Sequence, residues 1–257
     1  SLQEALQHLQ NHTLPANAVC VTFDDGYLNN LTVAQPILAK YGIPATVYVA
    51  TAFSQGSNMW NDRLIYLFSQ TERQQLLLDD TQLALTDAAD RRSKAQQWLK
   101  KLKYLPIAQR LEKIDQFYQQ NNATEQEPLM MSPAQIKQLS DSGVTIGAHT
   151  VNHPILKVMP EEQQLQEITQ SRQQLENWLG KPVQHFAYPN GVKDTDFDDT
   201  TVKLVAEAGF SSAVITNWGI CTAATPPHLL NRFTPWDKSP LKFHCRLTLN
   251  YTKPTHV

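Results

Sequence analysis

Ser132 to Thr150 reads SPAQIKQLSDSGVTIGAHT, and the fold class follows from it. Ser132 is a good N-cap residue, and Pro133 suits the first helical position, where a missing N–H is no loss. Ile136 and Leu139 give the segment an apolar stripe, Gly143 stops it, and Val144-Thr145-Ile146 starts a β-branched run. A helix with both ends specified therefore leads into a strand, and the strand gives out at His149.

The same pattern recurs along the chain. Leu31 to Lys40 reads as a helix, followed after Gly42 by a strand over Ala45 to Ala50. Glu161 to Leu179 places Leu165, Ile168, Leu175 and Leu179 on one helical face, with Gly180 as the stop and Val183 to Tyr188 as the next strand. Val202 and Leu204 to Ala208 lead through Gly209 to a strand over Ser212 to Thr216. With an opening strand over Ala18 to Phe23, at least five strands are separated by helices, which is the pattern of an α/β protein with a mostly parallel sheet or barrel. The barrel reading is preferred, and it directs attention to the C-terminal ends of the strands, where βα loops gather catalytic side chains.

Composition narrows the function classes. The 257 residues are 41% hydrophobic and 18% charged, with 22 Lys+Arg against 24 Asp+Glu. A net charge of −2 gives no global attraction to nucleic acid or to an anionic membrane, so no nucleic-acid partner is expected. The most apolar stretch, Ala45 to Phe53, is far shorter than the roughly 20 residues of a spanning helix, so no transmembrane segment is expected. Cys20, Cys221 and Cys245 are odd in number and widely spaced, as free structural thiols would be. The chain opens on Ser1 with no basic-then-apolar leader, so the compartment is not legible there; oligomeric state is not legible either. No glycine occurs between Gly56 and Gly143, and this Gln-, Leu-, Lys- and Arg-rich stretch favours helix. Residues 57–130 are read as a helical insertion, with helices over Arg91 to Leu105 and Ile107 to Asn121, carried on a single domain of residues 1–257.

Two clusters carry chemistry. Val21-Thr22-Phe23 ends in Asp24-Asp25-Gly26, which is either a solvated turn or a pair of carboxylates aimed into one pocket, with a cation or hydrogen bonds to answer their desolvation. The strand over Val144 to Ala148 ends in His149-Thr150-Val151-Asn152-His153. Pro154 disfavours helix at His153, so the two imidazoles belong to a strand-end loop. Two Asp and two His, each pair starting at a strand terminus, point together to a metal site. One Asp and two His would supply three ligands and leave positions open, as in catalytic centres, while the second Asp would act as a base. A divalent ion there would acidify water and polarise a carbonyl, which is the chemistry of acyl-bond hydrolysis.

Thr22-Phe23-Asp24-Asp25-Gly26 followed by His149-Thr150-x-x-His153 resembles the first two motifs of the polysaccharide deacetylases, the NodB-type domain of carbohydrate esterase family 4. Phe186-Ala187-Tyr188-Pro189-Asn190-Gly191 resembles the third. The resemblance runs from about Val19 to Arg232. It implies a distorted (β/α) barrel that removes N-acetyl groups from amino sugars of a glycan with one divalent metal ion, zinc ahead of cobalt, nickel or manganese. By motif, Asp24 is the implied base and Asp25, His149 and His153 are the implied metal ligands. The Asn190 backbone N–H is the implied oxyanion donor, and Tyr188, Pro189, Gly191 and Trp218 are implied to line the substrate pocket. The family's base-orienting Arg would stand where this chain has Ala187, and Arg232 is the candidate replacement. The family's Leu-x-His acid is not matched by His228 or His244; in permuted branches it lies on a strand preceding Thr22, which would put it and one barrel strand outside this chain. An extracytoplasmic or envelope-facing setting suits such a substrate. Two alternatives stay open: a hydrolase of another small amide, and a noncatalytic glycan-binding module.

Overall fold

A computed structural model describes residues 1–251 of the chain. In chain order the elements are α1 (Leu2–Gln10), β1 (Val21–Phe23), α2 (Gln35–Lys40), β2 (Ala45–Val49), α3 (Trp60–Ser69), β3 (Gln75–Leu78), β4 (Thr81–Ala84), α4 (Ala88–Lys103) and α5 (Ile107–Gln120). They continue with α6 (Pro133–Asp141), β5 (Thr145–Ala148), α7 (Glu161–Leu179), β6 (His185–Ala187), α8 (Asp199–Glu207), β7 (Ser212–Val214) and α9 (Pro240–Tyr251). The chain divides into two compact units. One holds Ser1–Ser54 and the described residues from Met131 onward; the other is Gln55–Met130.

The first unit is built on a five-stranded sheet in the order β1-β2-β5-β6-β7, with every pair parallel. With its surrounding helices it is a half-barrel of the α/β class. Parallel strands need helical crossovers, which cover the sheet, so β2 is buried at every position. Strand alternation divides the side chains. Val47, Val49, Ile146, Phe186 and Ala213 join Ile136, Leu139, Ile168, Leu175, Leu204 and Val205 from α6, α7 and α8 in the main core. On the other face Tyr48, Ala187 and Val214 form a smaller cluster with Leu230 and, from α1, Leu2.

Local chemistry fixes several of these elements. Ser132 and Gln135 form a reciprocal capping box at the start of α6, a device worth about 1 kcal/mol. Asp198 caps α8 by accepting from the Thr201 N–H at 3.2 Å. The helix expected over Leu31 to Lys40 opens as a π-helical turn, Asn30–Ala34, before α2. On α7 the buried stripe is Gln164, Glu167, Ile168, Ser171, Leu175 and Leu179. Leu165, expected on that stripe, is exposed, because the helix is rotated to bring three polar residues inward. Gly147 is required by packing: a Cβ there would lie 2.4 Å from Tyr48 Cδ1 and 2.9 Å from the His185 carbonyl oxygen.

The second unit adds two strands to the helices expected in the insertion. Besides α3, α4 and α5 it contains an antiparallel hairpin, β3 with β4. Its turn is Asp79-Asp80, both residues with positive φ (48° and 59°), as a tight two-residue hairpin loop demands. The flanking Gln75-Leu76-Leu77-Leu78 lacks β-branched residues and mimics helix composition. Leu76 and Leu78 nevertheless reach the unit's core beside Leu64, Phe68, Leu102, Ile114 and Phe117. Trp60 belongs to that core too, with the buried Arg110 guanidinium 4.7 Å from its ring centre. Asn58 clasps the two ends of the unit, donating to the Gln126 and Glu127 carbonyls at 3.2 Å and accepting from the Leu129 N–H at 2.8 Å.

Among the described residues the three cysteines are free, and no helix is long and apolar enough to cross a membrane. Gly147→Ala should cost about 1–3 kcal/mol by overpacking against Tyr48. A denaturant midpoint equal to wild type would refute that packing account.

Candidate metal centre and active site

Four side chains from two strand ends make the site. β1 ends at Phe23, and the chain turns through Asp24 and Asp25 into Gly26. Asp25 adopts a left-handed backbone (φ 72°), and so does Gly26 (φ 91°). The turn is pinned by the Ala50 N–H donating to the Asp25 carbonyl at 3.2 Å and the Met131 N–H donating to that of Gly26 at 3.0 Å. β5 ends at Ala148, and the next five residues, His149 to His153, form the second arm.

Asp25, His149 and His153 converge. Asp25 Oδ1 lies 3.5 Å from Nε2 of each histidine, and one donor atom from each of the three residues falls within 4.8 Å of the others. Ligands at 2.0–2.1 Å on a tetrahedral ion stand about 3.4 Å apart, so the spacing fits a divalent ion of zinc size. The protonation pattern fits as well. His149 Nδ1 lies 2.7 Å from the Ala187 carbonyl oxygen, which can only accept, so Nδ1 carries the proton and Nε2 presents its lone pair toward Asp25. Burial pushes the His149 imidazole below its ordinary pKa, against the opposing pull of Asp24, and so favours the neutral ligand form. Burial, with the neighbouring Asp24 charge, raises the Asp25 carboxyl, although His149 and Arg232 pull it down. A bound cation would reverse that penalty.

Asp24 is held separately. Arg232 Nη1 donates to Asp24 Oδ1 at 2.7 Å and Nη2 to Oδ2 at 2.8 Å, a two-pronged charge-assisted pair. The guanidinium is itself fixed by Nε donating to the Ile215 carbonyl at 3.2 Å and Nη1 to Thr22 Oγ1 at 3.3 Å. It is carried there because the preceding segment extends the sheet beyond β7: the Leu230 N–H donates to the Ala213 carbonyl at 3.0 Å, and the Ile215 N–H to the Leu230 carbonyl at 2.9 Å. Burial works to raise the Asp24 carboxyl. Arg232, His149, the hydrogen-bonded fork and His153 together outweigh it and hold Asp24 below the usual carboxylate range.

The third motif lies beyond β6. Asn190 is exposed and left-handed (φ 60°); its carbonyl accepts from Thr216 Oγ1 at 2.7 Å, and its N–H takes part in no hydrogen bond among the described residues. Pro189 and Gly191 are buried around it. Tyr188, expected in the substrate pocket, is fully buried in the main core. Its ring stacks on Phe197 at 3.9 Å, and its hydroxyl donates to the His228 carbonyl at 3.0 Å. Strand alternation explains this, since Tyr188 shares the helix-covered face with Phe186. Trp218 is half-buried, edge-on to Phe233 at 5.1 Å. His228 Nε2 is taken up with the Phe210 carbonyl at 2.8 Å, and His244 is exposed on α9.

No motif picks out Glu167 of α7, yet it binds the loop between the two histidines. One of its oxygens accepts from the Val151 and Asn152 N–H groups at 2.9 and 2.8 Å, and the other accepts from the Asn152 side-chain amide at 2.7 Å. The available sign in the sequence was a charged residue next to Ile168 in the buried stripe of an amphipathic helix.

Residues 11–213 match the family model described as polysaccharide deacetylase. The chain belongs to the polysaccharide deacetylase family. YxkH of Bacillus subtilis (strain 168), a protein named for the same family, is 20% identical over 230 residues, covering 90% of this chain. The chain spans about half (56%) of the length of that relative. Among solved structures, the deacetylase PplD of Streptococcus pyogenes, in complex with acetate, is 24% identical with a TM-score of 0.58, covering 91% of this chain and 71% of that one. IcaB from Ammonifex degensii is 19% identical with a TM-score of 0.58, covering 96% of this chain and 79% of its own. These likenesses establish the fold, a deacetylase-type (β/α) barrel.

Removing the guanidinium should leave burial as the dominant influence on Asp24. In Arg232→Met the Asp24 carboxyl, followed by 13C NMR in metal-free protein, should take up its proton at higher pH than in wild type. A titration that does not move would show that Arg232 does not hold Asp24 ionised.

Proposed function

We propose that this chain is a metal-dependent hydrolase that removes N-acetyl groups from amino sugars of a polysaccharide or glycan. The observation that carries the reading is an ionised, two-pronged Asp24–Arg232 pair beside an Asp25–His149–His153 group spaced for a metal. Asp25, His149 and His153 would hold one divalent ion, zinc ahead of cobalt, nickel or manganese, since one carboxylate and two imidazoles accept all four. When bound, such an ion supplies Lewis acidity to water and to the acetyl carbonyl.

The rest of the chemistry belongs to the chain. Asp24, kept ionised by Arg232, takes the proton from the attacking water as its oxygen bonds to the acetyl carbon. Arg232 prevents the carboxylate from turning away and keeps both its oxygens defined. The Asn190 N–H, with no acceptor of its own among the described residues, is available to the oxyanion that develops as the carbonyl opens. Cleavage of the C–N bond then releases acetate and a free amine, and the proton that Asp24 took from the water is the one that goes to the departing nitrogen. Trp218 offers an aromatic wall beyond β7, and Pro189 and Gly191 shape the segment that presents Asn190. A polymeric envelope substrate places the reaction outside the cytoplasm, and that setting is part of the same proposal.

One observation favours a second reading, a glycan-binding module without turnover. Among the described residues no histidine besides the pair is placed to protonate a leaving amine, and His228 is hydrogen-bonded elsewhere. Asp24 argues against that reading, because a binding module needs no base held ionised. Elemental analysis with deacetylation of an N-acetylglucosamine oligomer discriminates. The expected result is one equivalent of metal and chelator-sensitive acetate release. His149→Ala or His153→Ala should lose both, and Asp24→Asn should keep the metal while turnover falls about 10²–10⁴-fold. Metal without acetate release from the wild type would favour the binding module.

A further inference from the structure

We propose that Glu167 is the positioning residue of the metal loop, holding His149 and His153 at ligating distance through the backbone between them. The inference rests on the metal reading above and deepens it. The loop from His149 to His153 contains two left-handed residues that are not glycine, Thr150 at φ 65° and His153 at φ 50°. For a β-branched residue such as Thr150 that conformation is a genuine outlier, and it persists only where surrounding bonds over-determine it.

Those bonds can be traced group by group. The Thr150 and Val151 carbonyls accept from the Thr51 and Ala52 N–H groups at 3.2 and 3.0 Å, and the His153 N–H donates to Thr150 Oγ1 at 3.1 Å. Midway between the two imidazoles lie the N–H groups of Val151 and Asn152. Both go to one Glu167 oxygen, and the Asn152 amide goes to the other. Glu167 is only 7% exposed, and its hydrogen-bond partners among the described residues are three N–H donors. A polar group at that depth is costly unless hydrogen-bonded, and three donors answer it. With its oxygens so engaged it is outside the Asp25–His149–His153 group and acts through the loop.

The test is Co²⁺ binding at neutral pH, read by the dissociation constant and the visible d–d band, with no need for turnover. Glu167→Ala should weaken Co²⁺ binding about 10–100-fold, the usual cost of losing a partner that orients ligands. Glu167→Gln, whose Oε1 still accepts both backbone N–H groups while the Asn152 amide can turn to meet its NH2, should bind close to wild type. Gln164→Ala removes another buried polar residue of α7, one bonded to Met159 and Thr201. It should lower the melting temperature of the metal-free protein without changing the Co²⁺ constant. If Glu167→Ala does not fold, Glu167→Asp, retracted by one methylene, should show the weakened binding instead.

An unchanged constant and band in Glu167→Ala, or in Glu167→Asp where that variant stands in, would overturn this assignment alone. So would Glu167→Gln binding as weakly as Glu167→Ala, because the carboxylate would then act by charge and not by holding the loop. A wild type that binds no Co²⁺ would overturn the metal reading itself.

Discussion

Arg232 reaches Asp24 across the whole sheet, and the rest of the site depends on that reach. β1 is the first strand in the sheet order and β7 the last, and Arg232 lies beyond even β7, on the segment bridged to it through Leu230. Strands spaced by 4.7–4.9 Å would put those edges about 20 Å apart in a flat sheet, well beyond an arginine side chain. Bonds of 2.7 and 2.8 Å between them require the sheet to curl into a half-barrel. The charge state of Asp24 is therefore a property of the curled sheet, because burial acts to neutralise it and the far edge supplies the guanidinium that is the largest influence opposing burial.

Around this pair the structure concentrates backbone strain. Asp25, Thr150, His153 and Asn190 all have positive φ, and all follow the C-terminal ends of β1, β5 and β6. Elsewhere in the first unit several of the strained turns fall to glycine, as at Gly42, Gly143, Gly180 and Gly209. At the site the residue must carry a functional side chain or present its backbone, so glycine cannot serve, and the cost of roughly 1–3 kcal/mol per residue is met by hydrogen bonds from neighbouring segments. Gly26 completes the Asp turn because a Cβ there would crowd Val49 Cγ1 at 3.0 Å.

What the sequence made legible was whatever chemistry is local. Ser132, Pro133 and Gly143 delimit α6 without help from tertiary contacts, and the strand-end Asp and His pairs announce themselves by position. Arg232 could be singled out because a motif position was empty at Ala187, but its fork with Asp24 spans 208 residues and leaves no local pattern. The hairpin β3–β4 escaped because leucine and glutamine carry helix composition and Asp-Asp is a weak turn signal, so tertiary burial of Leu76 and Leu78 decided the matter. Tyr188 was misplaced by reading a motif without its alternation, which puts Tyr188 on the Phe186 face and leaves Ala187 facing the other way. Glu167 was hidden because a polar residue in a helix looks like surface until its register against Ile168 and Leu175 is known.

The Asn58 clasp has a consequence for the chain as a polymer. Closing a loop costs entropy that grows only with the logarithm of its length, so even as flexible coil the segment Gln55–Met130 would add only about 0.4 kcal/mol to the closure between residues 24 and 232. With its entry and exit tied by three hydrogen bonds to one asparagine and its own core formed, the segment behaves as a short link between β2 and α6. Its internal sequence can then vary in length or composition with little effect on the probability that Asp24 and Arg232 meet.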